Sequence, residues 1–190
     1  MAAGPVVGVL ALQGGFEAHR RAFDELGAQT REVRTAAELA GVDALVLPGG
    51  ESTTMLKLIE AESLWEPLGQ FGAAKPIFAT CAGAILLARE VLHPTQASLG
   101  LVDITIERNA YGRQVHSTVA RVDYEGRPDS LEAVFIRAPI IRRVGQGVEV
   151  LATYQGNAVL VSSGRHLIAT FHPELTTERA VQRRFLALLT

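Results

Sequence analysis

Hydrophobic positions fall into two textures along this chain. In the first half, short and nearly unbroken apolar runs alternate with segments of helical spacing. Residues 6–12 (VVGVLAL), 44–47 (ALVL) and 77–79 (IFA) suit strands buried on both faces of a parallel sheet. Residues 30–33 read as a weaker strand of the same set. Between these runs, Phe16, Ala22, Phe23 and Leu26 predict a helix over 16–26, with Gly27 as its C-cap. Met55, Leu56 and Ile59 continue as a helix, residues 64–71 form another, and residues 84–92 (AILLAREVL) a third. A β-α-β-α order is the signature of a layered α/β sheet. After Gly100 strands take over: 101–107, 115–122, 133–136, 148–154, 158–162 and 167–171, joined by turns such as Glu125-Gly126 and Gln155-Gly156-Asn157. A last amphipathic helix is expected over 178–189, with Thr176 or Thr177 as N-cap.

Size and composition narrow the class. A chain of 190 residues is expected to form one domain, 1–190, with an ample core. Eighteen basic and 20 acidic residues leave a net charge of −2, which argues against a nucleic-acid or membrane-surface partner. A hydrophobic content of 48% excludes disorder. The apolar start has no basic segment and is cut short by Gly14-Gly15, so no signal peptide is expected. A single cysteine, Cys81, precludes an internal disulfide or a paired-cysteine metal site and fits a reducing, cytoplasmic setting. No cofactor and no metal are expected.

The chemistry gathers at predicted strand ends. Cys81, in Ala79-Thr80-Cys81-Ala82-Gly83, sits where a strand turns into a helix. Such a corner holds its residue strained and exposed, and the helix N-terminus behind it favours a thiolate. Read alone, this string fits a small core cysteine as well as a nucleophile. His172-Pro173-Glu174 follows the last strand, and ligands of parallel sheets bind beyond such carboxyl ends. A thiol needs a base, and the base an orienting acceptor, which His172 and Glu174 supply. Pro48-Gly49-Gly50-Glu51-Ser52-Thr53-Thr54 ends a third strand. It reads as a close-approach loop offering an oxyanion N–H, or as a simple capped turn.

Taken together, these strings resemble the class I (triad) glutamine amidotransferase family, and within it the glutaminase subunits of pyridoxal 5′-phosphate synthase. The resemblance is carried by Leu12-Gln13-Gly14, the PGGEST string at 48–53, Thr80-Cys81-Ala82-Gly83, Glu107-Arg108-Asn109 with Gly112-Arg113-Gln114, Phe135-Ile136-Arg137-Ala138-Pro139, and 171–176 (FHPELT), in family order over almost the whole chain. Ala79, where the family usually has glycine, and Thr118, where an aromatic is common, depart from the pattern.

The resemblance implies a three-layer, flavodoxin-like α/β fold with a mostly parallel central sheet. It implies hydrolysis of L-glutamine to glutamate and ammonia by Cys81, His172 and Glu174 through a glutamyl thioester, and both hydrolase and lyase class labels. Ala82 and Gly50 would donate to the oxyanion. Gly49, Gly50, Glu51, Arg108, Ile136 and Arg137 would hold glutamine, the arginines gripping its carboxylate. Gln13 and His19 would lie at the docking surface for the partner, a barrel-shaped synthase subunit, in a complex of twelve synthase and twelve glutaminase subunits (12+12). The competing readings are a cysteine peptidase of related elbow type and an interaction subunit with a dead site. The acid beside the histidine disfavours the first, and the intact Cys81, His172 and Glu174 the second.

Overall fold

The alternation of side chains along each apolar run explains the architecture. The structure, a computed structural model, describes residues 4–110 and 117–189. Among the described residues the central sheet has nine strands. Five are parallel: β1 (Val6–Leu10), β2 (Gln29–Val33), β3 (Ala44–Leu47), β4 (Ile77–Thr80) and a late strand at His166–Ala169. They lie in the order β2-β1-β3-β4-His166–Ala169, the doubly wound arrangement in which helices cover both faces.

Within these strands, odd and even positions enter different cores. Leu45, Leu47, Ile77, Ala79 and Ile168 pack on one side with Met55, Ile59, Leu64 and Leu68. Ala44, Val46, Phe78, Leu167 and Ala169 pack on the other with Phe23 and Phe185. A period of two with both faces buried yields unbroken apolar runs. Helices α1 (Phe16–Asp24), α2 (Ala36–Ala40), α3 (Ser52–Ala61), α4 (Trp65–Ala74) and α5 (Ala82–Leu87) complete this half.

The second half differs from the sequence expectation at several places. The helix predicted over 84–92 ends at Leu87, and Ala88–Leu92 forms β5. Pairing with β6 (Val102–Glu107) takes the backbone groups that a longer helix would have used, while Ala88 and Val91 stay buried. A strand at Ile140–Val144 joins β5 and β6 in a small three-stranded sheet. It follows in sequence β7 (Thr118–Tyr124) and β8 (Arg127–Phe135) and is therefore β9. The short strand expected at 133–136 is the end of the longer β8, paired with β7 along its length. Residues 115 and 116 of the expected strand 115–122, like the Gly112-Arg113-Gln114 string, lie outside the described residues.

Strands β10 (Val148–Tyr154), β11 (Asn157–Ser163) and β12 (His166–Ala169) follow, and β11, β10, β7 and β8 extend the main sheet in antiparallel fashion. The final helix, α6, is shorter than predicted, Ala180–Leu186, and starts at Arg179 without a side-chain cap. The Thr176 hydroxyl instead bonds the carbonyls of Pro173 and Glu178. Among the described residues no helix is long and apolar enough to cross a membrane.

Candidate active site

The register of the central strands brings the candidate residues together. β4 pairs with β12 so that Thr80 faces Ala169, and the Cys81 N–H donates to the Ala169 carbonyl at 2.9 Å. Cys81 and His172 therefore emerge from neighbouring strand ends, with the loop after β3 alongside. Cys81 takes φ +46° and ψ −104°, a left-handed conformation that L residues with a side chain rarely adopt. Such strain persists only where the surroundings impose it, and it clusters at functional corners. Gly83 lets α5 cross directly over Leu47, where a side chain would collide with the Leu47 carbonyl.

His172 sits between Cys81 and Glu174. Its Nδ1 lies 2.7 Å from Glu174 Oε1. Burial disfavours the charged ring, but hydrogen bonds to the Cys81 sulfur and the Glu174 carboxylate outweigh it and push the imidazole up to about 10. For Glu174, burial opposes ionisation, while the hydrogen bond and charge of His172 hold it below the ordinary carboxylate value. The imidazole is thus held between the Cys81 sulfur and the Glu174 carboxylate. The Cys81 sulfur also lies 3.8 Å from the Ile136 carbonyl.

Gly49 packs flat against this pair: a Cβ there would overlap His172 Cε1 and stand 3.3 Å from Cys81 Cβ. Gly50 takes φ +147°, and a Cβ on it would meet the Gln13 carboxamide at 2.5 Å. Gln13 Oε1 accepts from the Glu51 N–H at 3.3 Å, so Gln13 braces the glycine loop from behind.

In front of Cys81 lies a cleft of about 150 Å³ lined by Gly50, Glu51, Ala82, Arg108, Ile136, Arg137 and His172, with Ser52, Ile85, Asn109 and Pro139. Ala82 opens α5, so its N–H has no partner within the helix. Glu51 caps α3, accepting from the N–H groups of Thr53 and Thr54 and from the Thr54 hydroxyl. Partial burial works against its charge, yet these donors bring its pKa down to about 2. Arg108 donates to Thr53 Oγ1 at 3.0 Å and lies 3.7 Å from Glu51, which aims it along the cleft. Arg137 takes φ +46° and is exposed, and among the described residues its guanidinium has no partner.

One expectation is overturned by burial. His19, expected at the docking surface, is fully enclosed, with Nε2 3.1 Å from Thr80 Oγ1 and 3.3 Å from Glu174 Oε2. It belongs behind the candidate site. Its place on the buried face of α1, beside Ala22 and Phe23, was readable from helical spacing. Sequence reasoning gave no site role to Ile85, Asn109 or Pro139, which the fold brings to the cleft lining.

This fold and cleft define a class I glutamine amidotransferase. A crystal structure of a glutamine amidotransferase superimposes with a TM-score of 0.89 at 46% identity, covering 96% of this chain and 98% of that one. A putative GMP synthase component from Thermoplasma acidophilum shares the fold, with a TM-score of 0.71 at 18% identity over 100% of this chain and 96% of its own. The sequence profile of the SNO glutamine amidotransferase family matches residues 9–189, and the chain belongs to that family. It is 56% identical over 189 residues to a pyridoxal 5′-phosphate synthase subunit PdxT from Solibacter usitatus, covering 96% of this chain and 98% of the relative. It is 52% identical over 188 residues to the protein of the same name from Deinococcus radiodurans, covering 96% of each. This membership corrects the lyase expectation. An amidotransferase releases ammonia from an amide by adding water across the C–N bond, so hydrolase is the fitting class and lyase is not.

Proposed function

We propose that this chain is the glutaminase of a pyridoxal 5′-phosphate synthase, hydrolysing L-glutamine to L-glutamate and ammonia. The observation that carries this reading is the placement of the His172 ring between the Cys81 sulfur and Glu174, 2.7 Å from the carboxylate, at the floor of the cleft.

Cys81 attacks the side-chain carboxamide carbon as a thiolate, forming the C–S bond. The tetrahedral oxyanion receives N–H groups from Ala82 and Gly50, donors each worth roughly 10²–10³ in rate. His172 gives its proton to the leaving ammonia as the C–N bond breaks, and Glu174 fixes its tautomer and balances its charge. Water, deprotonated by His172, then hydrolyses the glutamyl thioester. The zwitterionic end of glutamine is held by Arg108 and Arg137, with Glu51 and the Ile136 backbone alongside; guanidinium forks match a carboxylate.

Free ammonia protonates in neutral water and loses its nucleophilicity, so the product must pass to a docked partner. The relatives are named as pyridoxal 5′-phosphate synthase subunits, which supports a synthase subunit in that role; in this proposal the partner is barrel-shaped, the complex is 12+12, and this chain is one glutaminase domain in the cytoplasm. Gln13, which braces the Gly50 loop, is the residue through which docking would reach the oxyanion donors. An electrophilic glutamine analogue tests the nucleophile: mass mapping finds the adduct on Cys81 if the reading holds, and an adduct elsewhere, or none in the complex, defeats it.

A further inference from the structure

Directly behind the triad lies a buried titratable group that its chemistry leaves unused. His19, on α1, is fully enclosed and stands edge-on to Phe78, ring centroids 6.0 Å apart at 86°. Its Nε2 faces two oxygens, Thr80 Oγ1 at 3.1 Å and Glu174 Oε2 at 3.3 Å. Its Nδ1 has no partner among the described residues. These contacts select a tautomer. With the proton on Nδ1, the buried ring would carry an unsatisfied donor and aim a lone pair at the Glu174 carboxylate. With the proton on Nε2, both penalties vanish, and only a weaker unpaired acceptor remains. Burial keeps the ring neutral, holding its pKa below the ordinary value; Glu174 offsets this only in part, and the charge on His172 adds to it.

Glu174 needs such a neighbour. It sits on a short 3-10 turn, Pro173–Leu175, with Oε1 committed to His172. Oε2 has no in-line hydrogen bond from any described group; His19 Nε2 stands 3.3 Å from it, and the Glu174 backbone N–H also favours the carboxylate's charge. A carboxylate anchored through one oxygen alone is free to swing, and a misplacement of about 1 Å in a catalytic group costs of order 10²-fold.

We propose that His19 is a positioning residue of this site: its Nε2–H, shared with Thr80, holds Glu174 Oε2 so that Oε1 stays on His172. The proposal rests on the triad reading above. His19 does not line the cleft, so it acts through Glu174 and not on glutamine. Because Thr80 immediately precedes Cys81, the same ring ties the acid of the site to the strand that carries its nucleophile.

The test compares His19→Leu and His19→Gln in the full chain, assayed for glutamate release in the complex with the synthase. A glutamine side chain can place its amide nitrogen where Nε2 stood. The expected result for H19L is a kcat lower by about tenfold or more, with KM little changed. Its acid limb should move to higher pH, because a Glu174 carboxylate that loses a donor is easier to protonate. H19Q should recover most of kcat and return the limb. Wild-type kcat in H19L, or equal losses in both variants with an unmoved limb, overturns the proposal. Nitrogen-15 NMR of the free wild-type chain supplies a readout that needs no variant and no turnover. A proton on Nε2 alone supports the proposal; a proton on Nδ1, or on both nitrogens at neutral pH, overturns it. If the wild-type complex releases no glutamate, the glutaminase reading falls, while the NMR result still decides whether His19 offers its donor to Glu174.

Discussion

The Nδ1 atom of His172 lies 2.7 Å from Glu174 Oε1, although only one residue separates them in the chain. Pro173 opens the 3-10 turn that folds the carboxylate back onto the ring. Glu174→Gln keeps the side chain's size and removes its charge. It should lower kcat by roughly 10²–10⁴-fold, as loss of an orienting acid does in triad enzymes, with little change in KM. Steady-state glutamate release with the synthase present measures both, and a wild-type kcat would remove Glu174 from the mechanism.

Gly49 has no room for even a methyl group, because a Cβ there would overlap the imidazole of His172. Gly49→Ala must displace either the ring or the loop. Turnover should fall by about 10²-fold or more, while the thermal midpoint moves little, since the collision is confined to the cleft wall. A large drop in midpoint with turnover per folded molecule preserved would show that Gly49 serves packing alone.

His172 owes its raised pKa to Cys81 and Glu174 against the opposing effect of burial. Removing the sulfur by Cys81→Ala should therefore move the pKa down from about 10, followed by imidazole NMR titration; an unchanged value would mean that Cys81 does not interact with the ring. The sign for stability follows. A group raised on folding contributes fully below its unfolded pKa, near 6.5 for histidine, and loses that contribution as pH rises through its folded value. The stability gap between wild type and His172→Asn should be present near neutral pH and shrink as pH passes about 10, measured by urea denaturation.

Arg137 projects at the cleft with no partner among the described residues, on a backbone held at φ +46°. Arg137→Gln should raise KM for glutamine by roughly tenfold or more, the scale of one charge-assisted hydrogen bond, with kcat little affected. A fall in kcat at constant KM would assign Arg137 to the chemical step.

The parallel half of the fold was legible because its inner strands are buried on both faces, so that the VVGVL, ALVL and IFAT runs announce themselves, while the edge strand β2 is half exposed and reads weakly. The site was legible for a related reason. Its residues lie at the ends of those strands, and neighbouring strand ends meet in space. What was hidden depended on tertiary pairing. Residues 88–92 continue an apolar helical pattern and become a strand only because β6 lies beside them. The short α2 carried a readable signal, the Thr35 and Glu38 capping box, but five residues are too few for hydrophobic periodicity to register. The spacing of His19 with Ala22 and Phe23 marked the buried face of α1, but no spacing reveals that Glu174, far along the chain, folds back onto it.

The central claim is that Cys81 breaks the amide bond of glutamine and that the ammonia goes to a docked synthase. The most direct measurement mixes the chain with glutamine and its synthase partner and quantifies glutamate and ammonia, with Cys81→Ala alongside. The account predicts equimolar release by the wild-type complex and none above background from the variant. Undiminished release from Cys81→Ala, or no release from the wild-type complex, would contradict it.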